Sequence, residues 1–189
     1  MHLNEAIEMI RRIENKKIEQ IVNVLLETRN NGGRLFFLGV GGSAGNCSHA
    51  VNDFRKIVGI ESYAPTDNVS ELTARTNDEG WETVFKGWLL TSKLSENDAL
   101  FILSVGGGNS EKKVSVNLVN AIDLAISKKS KILGIVGKTD GYAAKKATNI
   151  VIVPILDSNL ITPHSEAFQA VIWHSLVSNP KLQTKETKW

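Results

Sequence analysis

Two sets of side chains in this sequence have the types and spacing to do chemistry. His49 and Asp53 stand four residues apart, which puts both on one face of a helix about one turn apart. That suits a shared metal ion or proton path. A solvated helix surface shows the same spacing. Towards the C-terminus, Thr162-Pro163-His164-Ser165-Glu166 is followed by Gln169 and His174 in an otherwise apolar stretch. Glu166 and His174 are eight residues apart, so on one straight helix their Cα atoms lie ~12 Å apart. One metal ion does not easily take both from such a helix. The spacing predicts a site between subunits or a helix that begins after Glu166. His174, beside Trp173, also reads as a packed histidine.

The third feature is a pair of glycine-rich turns, Gly39-Val40-Gly41-Gly42-Ser43 and Gly106-Gly107-Gly108-Asn109-Ser110, each directly after an apolar run. Where such a turn opens a helix, free backbone N–H groups and the helix's partial positive charge stabilise an anion. Glycine lets the backbone approach a phosphate, and Ser43 and Ser110 add hydroxyl donors. Tight turning alone would also use glycines, but two such turns at strand ends favour a phosphate site. Neither turn carries the Lys-Ser/Thr ending of a Walker loop. The first has only a GxGxxA outline, and the nearest acid on, Glu61, follows no clear strand. Both points count against a dinucleotide fold and an NAD-dependent oxidoreductase.

These residues need a scaffold, and the apolar pattern supplies one. Leu35–Leu38, Ala99–Ser104, Ile132–Val136 and Ile150–Val153 are continuous apolar runs, as in strands covered on both faces. Amphipathic stretches lie between and around them: Leu3 to about Thr28, closed by Asn31-Gly32-Gly33, then Val114 to Ser127 and Pro163 to Val177. Strand–helix alternation predicts an α/β three-layer sandwich with a central parallel sheet, flavodoxin-like, plus an N-terminal helix. The order of the strands is not readable.

Composition narrows the function classes. The 189 residues are 42% hydrophobic and 22% charged, with a net charge of +2. So balanced a surface gives no reason to expect nucleic acid or an anionic membrane as partner. No run approaches the ~20 apolar residues of a membrane span, and the N-terminus lacks a secretory pattern. The single Cys47 permits no internal disulfide. The expected compartment is the cytoplasm.

With these residues assembled, the chain resembles the sugar isomerase (SIS) domain family, and within it the phosphoheptose isomerases. The resemblance is carried by the Gly39-to-Ala44 turn, Asn77-Asp78, the Ser104-to-Ser110 turn, Gly134-Ile135-Val136-Gly137 and the Thr162-to-His174 stretch. It implies one SIS domain over 1–189, with the helix in 1–30 used in packing a homotetramer whose active sites lie between subunits. It also implies isomerisation of sedoheptulose 7-phosphate to D-glycero-D-manno-heptose 7-phosphate, towards lipopolysaccharide or another heptose product. His49, Asp53, Glu166 and His174 take the places of a zinc and proton-transfer cluster that is usually His, Glu, Gln and His. Asp53 would then be the general base and His174 the general acid. Phosphate and sugar contacts would come from Gly41, Gly42 and Ser43 of the first turn. Ser104, Gly106, Gly107, Asn109 and Ser110 would supply those of the second. Asn77 and Asp78, in a loop before a Trp81-to-Leu94 helix, match a substrate-contacting pair and equally suit a helix-opening turn.

The chain departs from that pattern in its own way. Asp53 is one methylene shorter than glutamate, and Glu166 puts an anion where an amide is usual, which strengthens a site that holds a divalent cation. The second turn is glycine-heavy where hydroxyl residues are usual, and Val40 stands where asparagine is common. The alternatives are an isomerase of another sugar phosphate and a non-catalytic SIS protein that senses a sugar phosphate or scaffolds a partner. His49, Asp53 and His174 together argue for the enzyme.

Overall fold

A computed structural model describes residues 2–185. The N-terminal amphipathic stretch forms two helices, α1 (His2–Arg12) and α2 (Asn15–Asn30), rather than the one expected over 1–30. The break falls where the apolar spacing lengthens to five residues between Ile13 and Ile18. There Glu14 is extended, and its carbonyl accepts from the Lys17 N–H to start a new helix. Gly32, at φ +66°, closes α2 as anticipated, with the Gly33 N–H on the Thr28 carbonyl.

Five parallel strands form one sheet: β1 (Leu35–Leu38), β2 (Ser62–Tyr63), β3 (Ala99–Ser104), β4 (Lys131–Val136) and β5 (Asn149–Ile152), in the order β2-β1-β3-β4-β5. Four were legible as apolar runs. The two-residue edge strand β2 is too short to show a pattern. Successive side chains point to opposite faces, so Leu35, Phe37, Phe101, Leu103, Leu133 and Ile135 enter one core. That core is covered by α2, by α3 (Gly42–Asp53) and by α8 (Ile161–Val177). Phe36, Leu38, Leu100, Ile102 and Val136 enter the other, under α5 (Val84–Thr91), α6 (Val116–Ser127) and α7 (Tyr142–Lys146). A last helix, α4 (Val69–Glu79), runs beside α5. No helix among the described residues is long and apolar enough to cross a membrane.

Two expectations change here. A 3-10 turn at Trp81–Thr83 precedes α5, which ends at Thr91, so no helix runs from Trp81 to Leu94. Asn77 and Asp78 lie in the last turn of α4, exposed and bonded to each other, rather than in a loop. Helix propensity in Glu71-Leu72-Thr73-Ala74-Arg75, held by the Arg75–Glu71 and Arg75–Glu79 pairs, extends that helix through them.

The chain leaves β1 towards β2 and then returns to place β3 on the other side of β1. Ligands of open parallel sheets bind beyond the strand carboxyl ends at such a reversal, and both glycine turns start there. The opposite end is clamped by Asp98. Its carboxylate accepts from the Arg34 backbone N–H, the Arg34 guanidinium and two Ser95 donors. Burial would raise the Asp98 carboxyl, but Arg34 and Ser95 together hold it below the ordinary carboxylate range. Its folded pKa lies below the unfolded value of about 3.9. The stabilisation is therefore complete above roughly pH 5 and is lost as pH falls through the lowered value. Asp98→Asn should cost about 3 kcal/mol at neutral pH, and less as the pH of the denaturant titration is lowered towards 3.

Candidate active site

The first glycine turn is dictated by close contact. A Cβ on Gly39 would stand 2.7 Å from the Ser43 carbonyl oxygen and 2.9 Å from Cys47 Sγ. Gly41 has φ +64°, where a side chain strains the backbone. The small residues that open α3 let α8 pack close. Asn46 Nδ2 donates to the Glu166 carbonyl (2.9 Å) and to Gln169 Oε1 (2.8 Å), and Gln169 Nε2 donates to Ser43 Oγ (3.0 Å). Asn46 carried no signal in the sequence, because its role depends on which helix lies opposite. Burial pushes the nearby Cys47 thiol well above its ordinary pKa, so it is a packing residue and no nucleophile.

The second turn does not open a helix, contrary to expectation. Ser104 Oγ accepts the Gly107 N–H (2.9 Å), and the carbonyls of Gly107 and Gly108 accept from the Ala143 and Tyr142 N–H groups at the start of α7. The chain then makes an antiparallel bridge between Asn109 and Val114 and enters α6 only at Val116, not Val114. Gly107 and Gly108, at φ +72° and +81°, spend their conformational freedom on this excursion.

Between the two turns lies a cavity of about 420 Å³. Ser43, Ser104, Gly106 and Asn109 of the expected phosphate residues line it, joined by Lys112 and Lys138. The two lysines were missed, since neither belongs to a motif that the sequence shows. Gly107 packs backwards onto Ala143, and Ser110 borders a separate notch of about 50 Å³. Asn77 and Asp78 do not line the cavity. A cavity of about 510 Å³ at the β2 edge, beside Arg55 and Tyr63, contains none of the expected site residues.

At the far end of α3 the structure brings His49 and Asp53 together with His174 of α8. Asp53 Oδ2 lies 3.5 Å from His49 Nε2 and 3.4 Å from His174 Nε2, and all three ligating atoms fall within 4.8 Å of one another. Asp53 is buried, while both histidines keep about half of their surface. Oδ1 accepts from Asn52 Nδ2 (3.0 Å), and Trp173 Nε1 donates to Oδ2 (3.3 Å). A π-helical turn, Phe54–Val58, follows directly after Asp53, a distortion frequent at functional sites. Two ligands each ~2.0–2.1 Å from a tetrahedral ion stand about 3.3 Å apart. The donor set therefore fits a divalent metal, with two imidazoles, one carboxylate and an open side.

Glu166 is not part of that group. The helix α8 starts at Ile161 and runs unbroken, which excludes a start after Glu166. Its fixed rise then carries Glu166 to the other end of α3, where the carboxylate rests against Gly42. Ser43 and Asp53 are likewise ten residues apart on α3, about 15 Å of rise. His164 serves elsewhere: it is fully buried, with Nε2 3.0 Å from Glu5 Oε2, and holds α1 to α8.

Residues 2–137 match the SIS domain. This chain belongs to the SIS domain family. It is 29% identical over 162 residues to a phosphoheptose isomerase of Aneurinibacillus thermoaerophilus, covering 83% of this chain and 76% of that protein. It is 28% identical over 179 residues to the phosphoheptose isomerase of Helicobacter pylori, covering 91% and 86%. The phosphoheptose isomerase structure from Neisseria gonorrhoeae superimposes with a TM-score of 0.80 over 93% of each chain, at 22% identity, a likeness of fold. In this SIS domain the reversal in strand order brings the two glycine turns together, and the His-Asp-His group stands at the far end of α3.

Proposed function

We propose that this SIS domain, spanning 1–189, is an aldose–ketose isomerase that takes sedoheptulose 7-phosphate to D-glycero-D-manno-heptose 7-phosphate. The observation that carries the reading is a buried carboxylate, Asp53, flanked by two half-exposed imidazoles. A carboxylate and a histidine near neutral pH supply the two protonation states that proton shuttling needs. Relatives at 25–29% identity named phosphoheptose isomerase support the substrate class.

In the proposed reaction the cavity at the glycine turns holds the phosphate through backbone N–H groups, Ser43, Ser104 and the two lysines, which orients the sugar. Asp53 takes a proton from C1, next to the C2 carbonyl, as the C1–C2 double bond of the enediol forms. His174 delivers a proton to O2 from Nδ1, the ring nitrogen that remains when Nε2 faces Asp53 and the metal position. Asp53 then returns its proton to C2 and His174 accepts the proton of the C1 hydroxyl, leaving the aldehyde. Zinc, held by His49, Asp53 and His174, would polarise the carbonyl and steady the charge on the enediol oxygen.

The cavity and the His-Asp-His group lie towards opposite ends of α3, and Glu166 lies with the former. Both facts support a site completed by a second copy, as a homotetramer would provide, with Glu166 reaching a neighbour's metal. The exposed stripe of Leu3, Ile7 and Ile10 on α1 is suited to such packing.

The test is incubation with sedoheptulose 7-phosphate, with and without zinc, followed by NMR. Growth of the aldose heptose 7-phosphate signals is the expected result; binding without conversion would make the protein a sugar-phosphate sensor. Chelator-stripped protein should lose at least about 10-fold in rate and regain it with zinc. Calorimetric titration of the stripped protein should show one zinc per chain.

A further inference from the structure

The three members of the His49–Asp53–His174 group share one neighbour, Trp173. Its indole meets the His49 ring edge-on with centroids 5.2 Å apart, and the His174 ring at 4.8 Å. The ring is 1% exposed, packed in the core beneath the group. Its N–H is the donor 3.3 Å from Asp53 Oδ2. An indole N–H only donates and does not titrate near neutral pH. With Asn52 on Oδ1, it sets the plane of the carboxylate whatever the two histidines are doing.

The short acid and the large indole fit each other closely. A glutamate in place of Asp53 would advance the carboxylate by about 1.5 Å. That movement runs into an indole nitrogen already in contact with Oδ2. We propose that Trp173 is a positioning residue for Asp53: its N–H fixes the carboxylate for proton transfer, and its buried ring closes the space that a longer acid would need. The inference rests on Asp53 being the base of the proposed isomerase.

Trp173→Phe keeps an aromatic ring and removes the donor. A hydrogen bond to a charged group corresponds to about 10- to 100-fold in rate, so kcat should fall by that factor with KM within about twofold. A merely structural role would lower the melting temperature and leave kcat in the folded fraction unchanged. Asp53→Glu alone should also slow turnover. Adding Trp173→Leu to Asp53→Glu should recover at least about 10-fold, because the pair is coupled through shared space. One readout needs no activity. The Trp173 indole cross-peak in a 1H–15N spectrum, identified by its loss in Trp173→Phe, should move upfield in Asp53→Ala. An unmoved cross-peak, unchanged kcat in Trp173→Phe, or additive losses in the double variant would each overturn the proposal. If the wild-type protein turns over no sugar phosphate, the isomerase reading fails, and the cross-peak still decides whether Trp173 orients Asp53.

Discussion

Asp53→Asn should lower turnover of sedoheptulose 7-phosphate by about 1,000-fold or more while sugar-phosphate binding stays measurable. General acid–base catalysis contributes roughly 10²- to 10⁴-fold, and an amide of the same shape cannot take the proton from carbon. The amide oxygen can still accept from Trp173, so packing survives and the melting temperature should move by only a few degrees. Binding survives because the cavity lined by Ser43, Ser104 and Gly106 includes neither Asp53 nor the two histidines. His174→Ala removes the proton donor to the enediol oxygen and should cost about 100-fold or more. Because His174 is half-exposed, its removal leaves the fold intact, which circular dichroism checks. Isomerase kinetics beside calorimetric binding of the sugar phosphate separates the two effects. Full activity in either variant would remove Asp53 and His174 from the mechanism.

Gly141→Ala has the second largest expected effect, and it acts through geometry alone. Gly141 has φ −65°, a conformation alanine adopts freely. Its Cβ, however, would stand 2.0 Å from the Gly106 carbonyl oxygen. That carbonyl must retreat by more than about 1 Å to restore ordinary contact. It cannot move alone, since the next two carbonyls, those of Gly107 and Gly108, hold the first N–H groups of α7. The whole second turn shifts, and with it the Gly106 backbone that lines the cavity. A displacement of this size costs about 100-fold in kcat/KM. Overpacking adds roughly 1–3 kcal/mol of destabilisation, or several degrees in melting temperature for a domain of this length. Gly45→Ala is the control: its Cβ meets nothing within 4 Å, so helix propensity should raise stability by about 0.5–1 kcal/mol.

How much of the site was legible follows from how far each interaction reaches along the chain. His49 and Asp53 were readable because their spacing is a local helical period. The Ser104 turn was readable as an anion loop, yet its failure to open a helix was not, because the start of α7, more than 30 residues on, consumes its carbonyls. Asn77 and Asp78 were misplaced because the ion pairs of Arg75 extend α4 through them. Lys112 and Lys138 became visible only once their loops closed on one cavity. The isomerase reading itself came from the assembled motifs and their resemblance to the SIS domain family, more than from any single residue.

The sequence by itself determined four of the five strands and the class of fold. A strand covered on both faces must be apolar at every position, so β1, β3, β4 and β5 stand out as unbroken runs, and glycine marks where the backbone must turn sharply. The tertiary structure decided which ends meet. Placing β3 beside β1 set two distant glycine turns around one cavity, and packing α8 along α3 set His174 and Trp173 against Asp53. The constant rise of the helix, 1.5 Å per residue, then fixed the rest: a residue eight positions before His174 cannot share its site, and Glu166 is held at the opposite end of α3.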